Sequence, residues 1–268
     1  VIEIFHDIRR LYKFQQPCRE LVGLVDFYSE TSDEHSRHCI GNQAFTVKLF
    51  PSYTPTIWIN LGAPYHLQNG NDLHFIPADK DILLLRDRIV ERQNLPSDNI
   101  FTVKFNPGAL ELIMGISQHK LANDVFDASE IIPASIIKRM KKLGSFEQRY
   151  PLLESFLLDQ LIRDKRNAGL LTPVTQAVNS FVNSGMQLQT EVLAQQLFVS
   201  SKTFNRYFHS VTGTNPKTFL ASIRTRTALT AYRHNRESFS VYDFGYFDPG
   251  HFYKDVLRFT GMKLSAVH

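Results

Sequence analysis

Five polar residues near the C-terminal end share one helical face at a spacing that suits reading a base-pair edge. Ser201, Lys202, Asn205, Arg206 and His209 fall on one side, with Phe204, Phe208 and Val211 on the other. Lys and Arg can donate to guanine O6 and N7, and Asn can pair bidentately with adenine. Ser200 or Ser201 would cap the start of this helix, and a helix N-terminus attracts phosphate. The competing reading is an ordinary solvated face, which four or five polar positions alone do not exclude.

Other reactive residues form weaker constellations. His35, His38 and Cys39, beside Asp33 and Glu34, have a spacing that could seat a metal, but they read better as a polar loop. Nothing in the sequence fixes the geometry of Lys104 and Glu111 as a catalytic pair. Cys18 and Cys39 read as small apolar residues, with a single bridge between them as the alternative. No HExxH, GxSxG or phosphate loop is present. The expectation is therefore no enzyme, no metal and no cofactor.

The elements around the polar face read as helix, short turn, helix. Thr190 is the expected N-cap of Glu191–Leu197, and Phe198-Val199-Ser200 is the turn. Thr212-Gly213-Thr214-Asn215-Pro216 stops the second helix. The segment then repeats. Val192, Ala194 and Leu197 recur 47 residues later as Phe239, Val241 and Phe244. Phe204, Arg206, Phe208 and Gly213 recur 48 residues later as Phe252, Lys254, Val256 and Gly261, so the second turn has gained one residue. Pro216–Tyr232 reads as a long helix between the copies.

The front half reads as strands followed by helices. Thr46–Phe50, Thr56–Asn60, Leu73–Ile76 and Phe101–Phe105 are β-branched and aromatic segments, and Gln68–Asp72 carries the Asn-Gly hairpin signal. Ile82–Leu85 could be strand or helix. This predicts a small β-barrel or sandwich. Trp58, Tyr53, Tyr65 and Phe75 would either enclose a ligand or fill the core. His66 and His74 read as satisfied histidines. Helices follow near Leu110–Ile116, from Pro133 to Leu143, and from Phe146 onward with Leu153, Phe156, Leu157 and Leu161 as an apolar stripe. That stripe could close the domain or pair with its twin in a dimer. The boundary falls near 168–172, giving domains 1–168 and 172–268.

Length and charge agree with this division. A chain of 268 residues suggests two domains at roughly 150 residues each. Residues 170–268 hold ten Lys/Arg against five Asp/Glu, while residues 1–169 hold twenty against twenty-one. A basic back half joined to a near-neutral front points to an anionic partner for the back half. No apolar run reaches 18 residues, and Glu3 and Asp7 make the start unlike a signal peptide, so no membrane partner is expected.

The back half resembles the AraC-type transcription regulators. The first match is Ala194, then Ser200-x-Lys202-x-Phe204-x-Arg206-x-Phe208, Gly213-x-Asn215-Pro216-x-x-Phe219 and Arg224-x-x-x-Ala228. The second is Gly245-Tyr246-Phe247-Asp248-Pro249-Gly250-His251-Phe252-Tyr253-Lys254-Asp255, then Phe259-Thr260-Gly261. The front half resembles, more weakly, the sensor-like domain paired with this region in some bacterial members, chiefly at Phe101–Ala109 and Arg149–Glu154.

The resemblance implies a multidomain protein: an α+β N-terminal domain and an all-α C-terminal domain with two helix-turn-helix units. It implies a bacterial, cytoplasmic regulator that binds double-stranded DNA. Its base-facing positions would be Lys202, Asn205 and Arg206 in unit one, and Pro249, Gly250, His251 and Lys254 in unit two. Pro249 and Gly250 cannot read a base edge, so only His251 and Lys254 of unit two would reach bases, and unit one would carry most of the sequence reading. Val241 stands where the family has Ala, so a looser helix crossing is expected there. The front domain would sense a small-molecule effector or form a homodimer, or both. The alternatives are a protein-docking module on a degenerate DNA-binding domain, and a DNA-tethered enzyme.

Overall fold

Alternating side chains sort the front strands onto two faces. The computed structural model describes residues 12–31, 43–95, 97–122, 124–163 and 169–266. Among them are strands β1 (Tyr12–Gln15), β2 (Val25–Thr31), β3 (Phe45–Leu49), β4 (Pro55–Asn60), β5 (Tyr65–Asn69), β6 (Asp72–Ile76), β7 (Ile82–Leu85), β8 (Val90–Asn94), β9 (Ile100–Phe105) and β10 (Val125–Asp127). They form two antiparallel sheets, ordered β1-β2-β9-β4-β7-β10 and β3-β8-β5-β6. In β4, Trp58 faces the second sheet while Ile57 and Ile59 face the helices. In β7, Ile82 and Leu84 point inward and Leu83 and Leu85 outward, so this uninterrupted apolar run is a strand buried on both faces.

Helices α1 (Ala109–Met114), α2 (Ala134–Lys142) and α3 (Phe146–Arg163) cover the outer face of the larger sheet. The α3 stripe closes this domain: Leu153 and Leu157 are fully buried, and Phe156 and Leu161 pack around them. Arg149 of α3 ties the layers together with a bidentate pair to Glu30 at 2.7 and 3.0 Å and a bond to the Met140 carbonyl.

The C-terminal domain holds α4 (Leu171–Asn183), α5 (Thr190–Gln196), α6 (Ser201–Thr212), α7 (Pro216–His234) and α8 (Pro249–Thr260). Its apolar residues form two cores rather than one. Phe181, Leu193, Phe204, Phe208 and Phe219 build the first, and Leu229, Val241, Phe252, Val256 and Phe259 the second. The long helix α7 contributes to both.

The β3–β4 loop plugs each core with one aromatic ring. Tyr53 enters the first and stands 5.7 Å from Phe219, and Phe50 enters the second and stands 5.9 Å from Phe259. Tyr53 therefore belongs to the C-terminal core and does not line the sandwich interior as expected. Its positive φ of 52° turns the ring away from the sheets. Phe75 also departs from expectation, being 58% exposed on the edge strand β6. Trp58 and Tyr65 do lie between the sheets.

Candidate nucleic-acid interface

Unit one is α5, a turn and α6. The expected N-cap of α5, Thr190, is instead its first helical residue. Gln189 occupies the cap, and the Thr190 hydroxyl turns to Glu191 at 3.1 Å. Helix α6 opens on Ser200, whose hydroxyl oxygen accepts from the Thr203 amide at 3.2 Å. Phe204, Phe208 and Val211 are buried, which leaves Ser201, Lys202, Asn205, Arg206 and His209 all exposed on the far side. The Asn205 amide donates to the Ser201 carbonyl at 2.9 Å, so pairing with a base would require this side chain to turn outward.

Unit two has the same plan on a shorter first element. A single 3-10 turn, Val241–Phe244, replaces the expected helix. Val241 is buried against Ala228 and Phe252, and Gly245 stops the turn at φ 73°. Asp248 caps α8 by accepting from the His251 amide at 2.8 Å, and Pro249 follows where no amide hydrogen is needed. Lys254 is exposed beside Tyr253.

His251 is half-buried and faces inward. Its ring stands edge-on to Tyr246 at 5.2 Å, with Nε2 3.6 Å from Asp255. The Tyr246 hydroxyl meets both Asp255 (3.3 Å) and Thr225 of α7 (3.0 Å), and Arg224 covers the Tyr246 ring at 4.6 Å. Burial, the largest cause, raises the Tyr246 pKa to about 12, so the phenol keeps its proton in this network. Of the two side chains expected to read bases in unit two, the structure presents Lys254 and engages His251 internally.

Both reading helices end against the front domain. Gly213 and Gly261 cap α6 and α8 at φ 77° and 65°, a conformation that favours glycine. A Cβ at Gly213 would lie 3.1 Å from Leu85, and one at Gly261 would lie 3.0 Å from Ile89. The carboxyl ends of both helices thus rest on the sandwich, while their capped amino ends and polar faces point to solvent.

A second place of interest is the gap between the sheets. Tyr12, Phe27, Trp58, Arg86, Arg92 and Lys104 line a cavity of about 20 Å³. Arg92 stacks over Trp58 at 4.9 Å, and Lys104 pairs with Asp26 at 2.9 Å rather than with Glu111. The β2–β9 register shifts between Val25 and Phe27. Burial opposes ionisation of Asp26 there, but the Lys104 charge and, more weakly, that of Arg226 on α7 outweigh it and lower its pKa. Burial, reinforced by Arg86, lowers the Lys104 pKa to about 7.

Among the described residues, no three His, Cys, Asp or Glu are grouped to hold a metal. His35, His38 and Cys39 lie outside the described residues, and Cys18 is a free thiol. No described helix is long and apolar enough to cross a membrane. Two residues that the sequence reading treated only as turn now stand out: Phe198 is 97% exposed and Phe247 86%.

The geometry defines a class: a β-sandwich domain followed by an all-α domain with two helix-turn-helix units on one connecting helix. Residues 193–268 match the family model described as a helix-turn-helix domain. No curated protein matches the chain. Among solved structures, the chain is similar to fatty-acid-bound ToxT from Vibrio cholerae, at 11% identity over 83% of this chain and 92% of that one, with a TM-score of 0.47. It is also similar to the AraC-like transcriptional activator CuxR, at 11% identity over 84% and 88%, with a TM-score of 0.29.

Proposed function

We propose that the protein is a sequence-specific double-stranded DNA-binding transcription regulator, with its domain boundary within 168–172. The observation that carries this is the pair of capped helices, α6 and α8, which share one support and point their polar faces outward. Such helices fit successive major grooves about one helical turn apart. Unit one would do most of the reading through Lys202, Asn205 and Arg206, with Ser201 and His209 beside them. Unit two would add Lys254 and backbone contacts. Selection from random duplex DNA, repeated across salt concentrations, tests this. A defined site with one strong and one weak half supports it, and sequence-blind binding counts against it.

We further propose that the front domain senses a small anionic effector. Arg86, Arg92, the partly protonated Lys104 and several aromatic rings converge on the cavity between the sheets. With room for little more than a water molecule, the cavity must open by movement of its lining when an effector enters. Arg86, in its wall, donates to the Phe50 carbonyl at 3.2 Å, and its own carbonyl receives the Ser52 and Tyr53 amides at 2.9 Å. An anion drawing on Arg86 would therefore act on the loop that plugs both cores. Trp58, the sole tryptophan, reports on this cavity. Titration with small carboxylates should change its fluorescence, and a flat response across the series overturns the effector reading.

A docking or homodimer role is favoured by a different observation. Leu73 and Phe75 are 60% and 58% exposed on the free edge strand β6. Such an edge can pair with another chain. Sedimentation of the parent and of Phe75→Lys separates these readings, since only a dimer through β6 is lost in the variant.

A further inference from the structure

The two turns differ at one backbone position. Close approach of the Met186 carbonyl requires glycine there in unit two, and neither packing nor backbone preference calls for the phenylalanine of unit one. In unit two, the Gly245 amide bonds the Tyr242 carbonyl and the Tyr246 amide the Val241 carbonyl. In unit one, the Phe198 amide bonds the Gln195 carbonyl and the Val199 amide the Ala194 carbonyl. Phe198 is therefore the structural counterpart of Gly245. Both are left-handed, at φ 56° and 73°. A bulky residue in that conformation is strained where glycine is not. The Phe198 ring recovers nothing by packing, being 97% exposed. Unit two puts its own exposed ring, Phe247, on the one residue that its turn has gained.

Each turn therefore carries one bare phenyl ring just ahead of the reading helix: Phe198 two residues before the Ser200 cap, and Phe247 one residue before the Asp248 cap. Single exposed apolar residues are common on proteins. Here a strained residue in one copy and an added residue in the other arrive at the same place, beside the outward Lys202 and Arg206 of α6 and in the turn that leads into the helix carrying Lys254.

We infer that Phe198 and Phe247 are DNA-contacting residues, packing on the deoxyribose and thymine-methyl surface at the lip of each major groove. This rests on the DNA-binding reading above. The cationic flank matches DNA rather than an apolar protein face, and the amino end of a reading helix is the end that meets the groove. The rings add apolar contact that neutralises no phosphate. Their loss should thus weaken binding equally at every salt concentration, unlike the loss of a Lys or Arg.

The test uses the full chain and a duplex selected by the parent. Phe198→Gly restores the residue type that unit two carries, and Phe247→Ser removes the second ring. Thermal unfolding should show Phe198→Gly at least as stable as the parent. Each variant should bind about tenfold more weakly, the scale of a partly buried phenyl ring, with the slope of log affinity against log salt unchanged. Two results overturn the inference: parent-like affinity in the double variant, or unchanged DNA affinity with loss of a self-associated species. If the parent itself selects no site, the underlying DNA-binding reading fails instead, which is a distinct result.

Discussion

The two helix-turn-helix units come from one plan but divide the work differently. Unit one has a full α5 and an α6 whose outward residues are all exposed, with Asn205 held back by its bond to the Ser201 carbonyl. Unit two has a single 3-10 turn, Pro249 and Gly250 at the start of α8, and a buried polar network of Tyr246, Asp255, Arg224 and Thr225 tied to α7. The outward Ser201, Lys202, Asn205 and His209 of α6 correspond to Pro249, Gly250, Tyr253 and Leu257 in α8, and only Lys254, the counterpart of Arg206, keeps a charge there. A duplicated unit can thus keep its shape while one copy specialises in recognition and the other in support.

The most severe way to break this comparison is through the cores. Phe208→Ala and Phe252→Ala should each destabilise the protein by about 3–5 kcal/mol in denaturant unfolding, since both rings are fully buried. A far smaller loss at Phe252 would show that the polar network, not the apolar core, holds unit two.

Recognition comes next. Lys202→Ala or Arg206→Ala should cost roughly 1–3 kcal/mol at one base pair and relax preference there, as read by binding to single-base site variants. Lys254→Ala should cost less than either at any one base pair and lower the salt slope by about 1. Reversal of these two patterns would exchange the roles of the units.

Helix α7 is common to both units, so its seat on the front domain is a control. Lys104 binds its last proton near pH 7 when folded, against an ordinary value of 10.5. The unfolded chain therefore holds more protons between these values, and stability rises with pH across that window. Relative to Lys104→Met, the parent should gain about 2 kcal/mol between pH 7 and 9 in urea unfolding. Site preference that changes over the same pH range would show that the charge on the Lys104–Asp26 pair biases one unit over the other.

The smallest effects belong to the caps. Ser200→Ala and Asp248→Ala should each cost about 1 kcal/mol of stability in thermal unfolding. Equal losses would confirm that the two reading helices are started alike despite their different turns.

The sequence displayed much of this architecture because its patterns are local. Thr56-Ile57-Trp58-Ile59 reads as a strand from its β-branched and aromatic residues between turn signals, and the Phe204–Phe208 spacing marks the buried side of α6. Ile82–Leu85 could not be resolved locally, because a strand buried on both faces loses its alternation. Strand β8, Val90–Asn94, was missed because polar Arg92 and Asn94 occupy buried positions that only tertiary partners explain. Tyr53 was misplaced because its destination is set by a backbone turn and by a core more than 110 residues away in sequence. In the candidate site, outward polarity was legible for α6. For His251 it was not, because Asp255 and Tyr246 draw the ring inward. Phe198 and Phe247 were passed over because both fall in turns, where only the folded backbone decides whether a ring packs or stands in solvent.

The glycine seats of α6 and α8 make the sandwich a fulcrum. Each helix has twelve residues, so its reading tip stands about 18 Å from its seat. A tilt of about 5° at the seat sweeps that tip through about 1.6 Å. A hydrogen bond to a base edge tolerates only a few tenths of an ångström. With both levers hinged on one body, a displacement too small to disturb the packing of Leu85 or Ile89 is magnified at both grooves together.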